Sequence, residues 1–418
     1  MSSFESSLDP HRLQRTAWMV VLLLFPVALL NYLDRQMLAS MKFSVMADIT
    51  DIHSQANWGR MLGQFKWVYA IMSPIGGYLA DRYSRRATIC ASLFAWSAIT
   101  WATGHVTSYN DLLWTRSLMG ISEAFYIPAA LALIADHHRG PTRSQAVGLH
   151  QFAIYAGVIV GGFGGYVADS DILGWRWAFK FCGVFGMLYA LPLALLLKNP
   201  VHSERSGQED RPTIWRSTQQ LLTNGSFLLL VLYFTLPAMA GWVVRDWMPA
   251  ILKERFELGQ GFAGVSATLY WQVAAIIGAL FGGWLADYSM RFTPRGRILV
   301  SAAGMMLIVP AIFGVGIAGT LIVAVLFLAL FGLGWGLFDC NNMPILCQIA
   351  RPSLRATGYG IMNMVSISCG GLADWGFGAI RDANVPLHWI FGAFSSVAVV
   401  SIALVLLIRP RKELLGEL

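Results

Sequence analysis

Gly76-Gly77-Tyr78-Leu79-Ala80-Asp81 returns as Gly282-Gly283-Trp284-Leu285-Ala286-Asp287, 206 positions further on. Each copy closes a long apolar stretch. A second pair of landmarks, Arg143 with Gly148 and Arg355 with Gly360, opens two later stretches at an offset of 212. Echoes in register at equivalent positions mean that the chain consists of two related halves. Parallel repeats of this kind imply two bundles related by an axis along the membrane normal, with a central site between them.

Working outward with windows of about 20 residues, apolar helices fall near 17–45, 60–80, 87–106, 109–136, 143–167 and 176–197. A second six follows near 225–252, 262–287, 297–317, 320–348, 355–380 and 386–408. The expected fold class is therefore an all-α membrane protein with twelve transmembrane helices in two six-helix bundles. The bundles take residues 1–198 and 225–418, joined by a polar cytoplasmic linker at 199–224 that carries Glu204, Arg205, Glu209, Asp210 and Arg211.

Composition agrees. Of 418 residues 56% are hydrophobic and 13% charged, with a mean hydropathy of +0.56, whereas soluble domains carry roughly 25% charged residues. The net charge of +7 is scattered between apolar segments, so it reads as topology and not as a nucleic-acid surface. Arginine and lysine concentrate on the side of the N-terminus, at Arg12, Arg15, Arg82, Arg85, Arg86, Arg139, Arg143, Arg291, Arg295, Arg297 and Arg409 among others. Both termini are thus expected in the cytoplasm, in the inner (cytoplasmic) membrane of the cell. Arg12 and Arg15 precede the first apolar run and no small-residue cleavage site follows it, so that run is expected to remain as a span. Cys90, Cys182, Cys340, Cys347 and Cys369 show neither metal-ligand nor short-loop disulfide spacing. No metal, and no cofactor beyond a proton gradient, is expected.

Within the first span, Asn31-Tyr32-Leu33-Asp34-Arg35 interrupts the apolar run. A charge near the bilayer centre costs at least about 2.5–3.5 kcal/mol on insertion scales, which makes an intramembrane acid and base a functional-site hypothesis. In the fourth span Arg116 and Glu123 stand seven apart. Residues i and i+7 of a helix lie within about 20° of one face, and a rise of 1.5 Å per residue separates them by roughly 10 Å. Both therefore face one cavity or one neighbouring helix.

The run Gly77-Tyr78-Leu79-Ala80-Asp81-Arg82-Tyr83-Ser84-Arg85-Arg86 resembles the major facilitator signature between spans two and three, departing from it at Ser84, where glycine is usual. The resemblance covers essentially the whole chain. It implies that this loop, with Asp81, Arg82, Arg85 and Arg86 and its echo at Asp287, forms a cytoplasmic gate. Asn31-Tyr32-x-Asp34-Arg35 and Arg116-x-x-x-Gly120-x-x-Glu123-Ala124-x-x-x-Pro128 resemble the motifs of the anion:cation symporter group, whose members carry hexuronates, galactonate and sialic acid. That resemblance implies Asp34 and Glu123 as proton-coupling acids balanced by Arg116, and Arg35 as the ligand of a substrate carboxylate. Burial and a neighbouring arginine act oppositely on a carboxyl group, so an anion that occupies the arginine favours protonation and the two move together. The competing reading is a structural ion-pair network, although a buried pair seldom offsets its own desolvation. Spinster-like lipid carriers share both motifs, and Ser289 to Arg297 with Thr293-Pro294-Arg295 is similar to their loop after span eight. Their implied substrates are lysophospholipids or sphingoid phosphates.

Other polar residues in spans have two readings each. Lys66 with Tyr69 forms a stripe suited to a cavity wall, or Lys66 snorkels to the outer headgroups. Arg245 is a second anion clamp or a rim partner of Asp246. Asn341 and Asn342 contact sugar hydroxyls or bond between helices. Gln151 is a further candidate beside His150, which reads as a packing residue; Asp374 reads as structural. Span five has Val160 and Phe163, and no proline, between Gly157 and Gly165, a departure from the family's antiporter motif that favours symport. The sequence reading is thus a monomeric, proton-coupled importer of a small organic anion, by preference a sugar acid such as a uronate, aldonate or sialic acid, working by alternating access. Its partners are the anion, protons and the lipid bilayer, with no nucleic acid and no enzymatic activity; a lysolipid or sphingoid phosphate is the alternative cargo.

Overall fold

Backbone polar groups inside a bilayer must find partners within the chain, and this chain meets that demand with helices. The computed structural model describes residues 10–82, 84–138, 142–198, 214–411 and 413, with no strand among them. The first six crossings are α1 (Pro10–Ser40), extended past Met41 by the short α2 (Lys42–Asp48); α3 (Gln55–Arg82); α4 (Arg85–Thr103); α5 (Tyr109–Ala124) with α6 (Tyr126–His137); α7 (Arg143–Gly162) with α8 (Gly164–Ala168); and α9 (Gly174–Leu196). The short amphipathic α10 (Ile214–Leu222) occupies the end of the expected linker, whose residues 199–213 lie outside the described residues. The second six are α11 (Gly225–Phe256), α12 (Gln260–Met290), α13 (Gly296–Ile317), α14 (Leu321–Asp339) with α15 (Asn342–Ile349), α16 (Pro352–Asp382) and α17 (Leu387–Leu407). Among the described residues nine stretches are long and apolar enough to cross a membrane on length and composition alone. The other three crossings are α3, α4 and α16, which carry more polar side chains, among them Arg60 and Lys66, Arg85 and Arg86, and Asp374 and Arg381.

Local chemistry sets the ends and breaks. Ser84, at the position where the signature has glycine, is extended (φ −63°, ψ 118°) and accepts a hydrogen bond from the Ala87 N–H. That backbone needs no glycine, and the hydroxyl caps α4. Ser108 and Asp111 form a reciprocal capping box at the start of α5. The fourth and tenth crossings are each broken, at Phe125 and at Cys340–Asn341. Pro128 and Pro344 follow these breaks at an offset of 216. A proline has no N–H for the carbonyl four residues back, and its ring clashes with that carbonyl, here Ala124 and Cys340. The paired breaks are a third echo between the halves.

By proximity the helices group into two compact units: Met1–Ile49 with Ile71–Arg205, and Thr50–Ala70 with Ser206–Leu418. The division falls within α3. In the first unit Val20, Leu24, Val27, Leu93, Trp96, Tyr126, Leu133, Ala153 and Leu193 form a buried core. Gly157 and Gly161 of α7 lie one turn apart against the Leu29 and Leu33 carbonyls of α1, too close to admit a Cβ. This small-residue contact sets the rotation of α1. In the second unit the first half of α3 meets α16 in the same way, Gly59 against the Asp374 backbone and Gly378 of α16 against Gln55.

Candidate functional site

Asn31, Asp34 and Arg35 share one face of α1 by their i, i+3, i+4 spacing, with Leu29 and Leu33 turned to α7. Arg35 donates from Nε (2.7 Å) and Nη2 (2.6 Å) to Oε2 of Glu123, a fully buried residue of α5. Its Nη2 also donates to Asn31 Oδ1 at 3.2 Å, and the guanidinium lies 4.8 Å from the centre of the Tyr32 ring. Asp34 Oδ2 accepts from Thr100 Oγ1 of α4 at 2.9 Å. Arg116 is 3% exposed and interacts electrostatically with Glu123, Asp34 and Arg35. The spacing that put Arg116 and Glu123 on one face therefore brings both to the acid and base of α1.

The polar groups of this cluster do not all find partners. Nε and Nη2 of Arg116 and Oδ1 of Asp34 are buried without a hydrogen bond. Leaving such a group unmade costs about 1–3 kcal/mol, more for a charged one. Two arginines and two carboxylates balance in formal charge, yet donors and acceptors, Glu123 Oε1 among them, stand idle inside one cluster. An arrangement of that kind can exchange partners and take up a proton or an anion without dismantling the helices around it.

A second charged cluster occupies the second unit. Lys66 of α3 donates to Asp246 Oδ2 of α11 at 2.5 Å and to Asp374 Oδ2 of α16. Its Nζ also lies 4.2 Å from the Trp242 ring centre, in the range of a cation–π contact. Arg245 Nε stands 3.9 Å from Asp246 Oδ1, and its guanidinium 5.3 Å from the same indole. Lys66 is 3% exposed, held by two carboxylates in place of a headgroup. Trp242 is the residue that sequence reasoning missed here, and Asp374, read there as structural, is the acid whose cation went unnamed. The available signal was the acid itself, an unpaired charge in an apolar span that calls for a cation elsewhere. Tyr69, one turn on, is buried with its ring 5.9 Å from Phe65.

The remaining candidates are dispersed. Gln151 is exposed on α7. Asn341 donates to the Leu337 carbonyl at 3.0 Å and Asn342 to Asp339 Oδ1 at 3.5 Å, both bonds serving the break between α14 and α15. His150 Nε2 lies 2.9 Å from the Tyr126 hydroxyl, which also bonds to the Leu24 carbonyl. In the signature loop the side chains of Asp81 and Arg82 lie outside the described residues. Arg85 pairs with Asp136 and donates to the Ala132 carbonyl, while Arg86 donates to the Ala194 carbonyl. Asp287 is 3.5 Å from Arg297.

The sequence matches the Major Facilitator Superfamily over residues 24–373. Protein spinster homolog 1 of Xenopus tropicalis is 30% identical over 377 residues, which cover 83% of this chain and 69% of that protein. A bacterial homolog to the human lysosomal transporter Spinster, solved in an inward-facing and unoccupied conformation, is similar with a TM-score of 0.75 at 21% identity, covering 94% of this chain and 95% of the other. A D-xylose-proton symporter gives a TM-score of 0.74 at 17% identity, over 94% and 98% of the two chains. At these identities the two solved structures speak to the fold alone. A family match of this extent, on twelve helices in two related halves, makes the chain a multi-pass membrane transporter that belongs to the Major Facilitator Superfamily.

Proposed function

We propose that this alternating-access transporter couples an amphiphilic organic anion to protons, with Arg35 holding the anion and Asp34 and Glu123 carrying the proton. The observation that carries the reading is the buried Arg35–Glu123 pair at 2.6 Å, flanked by Asp34 and by an Arg116 with donors to spare. An anion that takes Arg35 removes the counter-charge of Glu123 in a site sheltered from water. The carboxylate then gains more from a proton than from staying charged. The spinster relatives move the choice of cargo away from the sugar acids and toward a lysophospholipid or sphingoid phosphate, whose anionic head suits two arginines.

The test is uptake into proteoliposomes under an imposed pH gradient, with lysophospholipids, sphingoid phosphates, uronates, aldonates and sialic acid as the panel. Gradient-driven accumulation of an anionic lysolipid is the expected result. Gradient-driven accumulation of a sugar acid alone would reverse the choice of cargo, and gradient-independent uptake of every compound would refute coupling.

A further inference from the structure

We propose that Asp374 is a second proton-binding site of this transporter, and that a proton there hands Lys66 to Asp246 alone and releases the ion-pair tie between α3 and α16. The cluster belongs to different helices from the Arg35 site, and the inference rests on transport but on no particular cargo. Three helices each supply a charge: Lys66 from α3, Asp246 from α11 and Asp374 from α16. Gly59 and Gly378 bring α3 and α16 within backbone contact, so the lysine spans a short and fixed gap.

Lys66 uses Oδ2 of each acid, and Oδ1 of the fully buried Asp374 has no hydrogen-bond partner. The charged groups that face Asp374 are Lys66 from α3 and Asp246 from α11, with Arg245 behind Asp246. With Arg245 the four groups sum to zero formal charge. A proton on Asp374 weakens its hold on the ammonium, while Asp246 and the Trp242 face retain it. The tie from α3 to α11 therefore survives and the tie to α16 does not. Polar links between α3 and α16 outside this cluster include the Trp67 Nε1 bond to the Ser368 carbonyl and the Asp382 carboxylate at the first turn of α3. The first does not titrate, and the second is exposed at the helix end.

The experiment measures the distance between spin labels at Asp51 and Ala383, both exposed beside these helix ends, in the full chain with its five native cysteines replaced and reconstituted in nanodiscs. In the otherwise native protein the distance distribution is expected to shift to longer values from mildly alkaline to mildly acidic pH. Asp374→Asn and Lys66→Gln should hold the long population at both extremes, and Asp374→Glu, which keeps a carboxyl, should retain the shift. Asp382→Asn should retain it too. Asp34→Asn with Glu123→Gln should abolish proton-driven uptake yet leave the shift, which separates this site from the first. No pH shift in the native cluster overturns the proposal, as does a shift unchanged by Asp374→Asn and Lys66→Gln or one lost only with Asp382→Asn.

Discussion

Gly161 of α7 rests on Leu33 of α1 so closely that a Cβ would stand 2.8 Å from the Leu33 carbonyl oxygen and 3.0 Å from the Met37 nitrogen. Backbone atoms cannot step aside as a side chain can. Gly161→Ala should therefore push α1 away from α7 and turn Asp34 and Arg35 out of register with Thr100 and Glu123. Overpacking of this kind costs about 1–3 kcal/mol. Gly148 of the same helix has open space around it, so Gly148→Ala should be neutral or stabilise by about 0.5–1 kcal/mol. Thermal unfolding of the two variants in the same detergent checks the contrast, and equal midpoints would remove the close contact from the account.

Arg35 and Glu123 should separate by function when changed singly. Arg35→Ala leaves a buried carboxylate without its cation, and breaking a buried pair costs about 3–5 kcal/mol; anion binding should be lost with it. Glu123→Gln keeps an oxygen for Arg35 to donate to but cannot carry a proton. It should bind and exchange the anion while losing accumulation driven by a pH gradient. Binding measured beside counterflow and gradient-driven uptake tells the two apart, and equal loss in both variants would reduce the pair to scaffolding.

At Ser84 the extended backbone and the bond from Ala87 define a helix cap. Replacing a serine cap by alanine costs typically about 1 kcal/mol, and by glycine only a few tenths. Ser84→Ala should thus lower the unfolding midpoint more than Ser84→Gly, even though glycine is the usual residue of the signature. The reverse order would mean that the loop needs backbone freedom and not a cap.

The repeat that ends at Asp81 and Asp287 was legible because it is periodic, as were twelve apolar windows, each a local property of about 20 residues. Arg116 and Glu123 were legible for the same reason: seven positions on one helix fix a shared face whatever the neighbours do. The pairing of Lys66 with Asp374 was not, since they are 308 positions apart and meet where glycines such as Gly59 and Gly378 let two helices touch. A glycine in a membrane span permits close approach without naming the partner. The breaks before Pro128 and Pro344 were open to a reader of prolines, but apolar windows run straight across them. Asn341 and Asn342 had two readings, cavity contacts or bonds between helices, and the bonds seen here run to Leu337 and Asp339 beside the break.

Asp382, in the last turn of α16, accepts the Gln55 and Ala56 N–H groups of α3, each at 2.8 Å, one on each carboxylate oxygen. These belong to the four amides that a helix start leaves without an internal partner, and the negative charge sits at the positive end of the α3 dipole. One helix thus caps another across 326 and 327 positions of sequence. Asp382→Ala should free both amides at a cost of about 1 kcal/mol, and Asp382→Asn, with a single acceptor oxygen, should fall between. Amide hydrogen exchange read by mass spectrometry locates the effect. Exchange should quicken in the first turn of α3, at Gln55 to Trp58, and stay unchanged beyond Lys66, where Asp246 and Asp374 hold the helix by other means. Protection of the first turn that survives Asp382→Ala would show that α3 is capped without it.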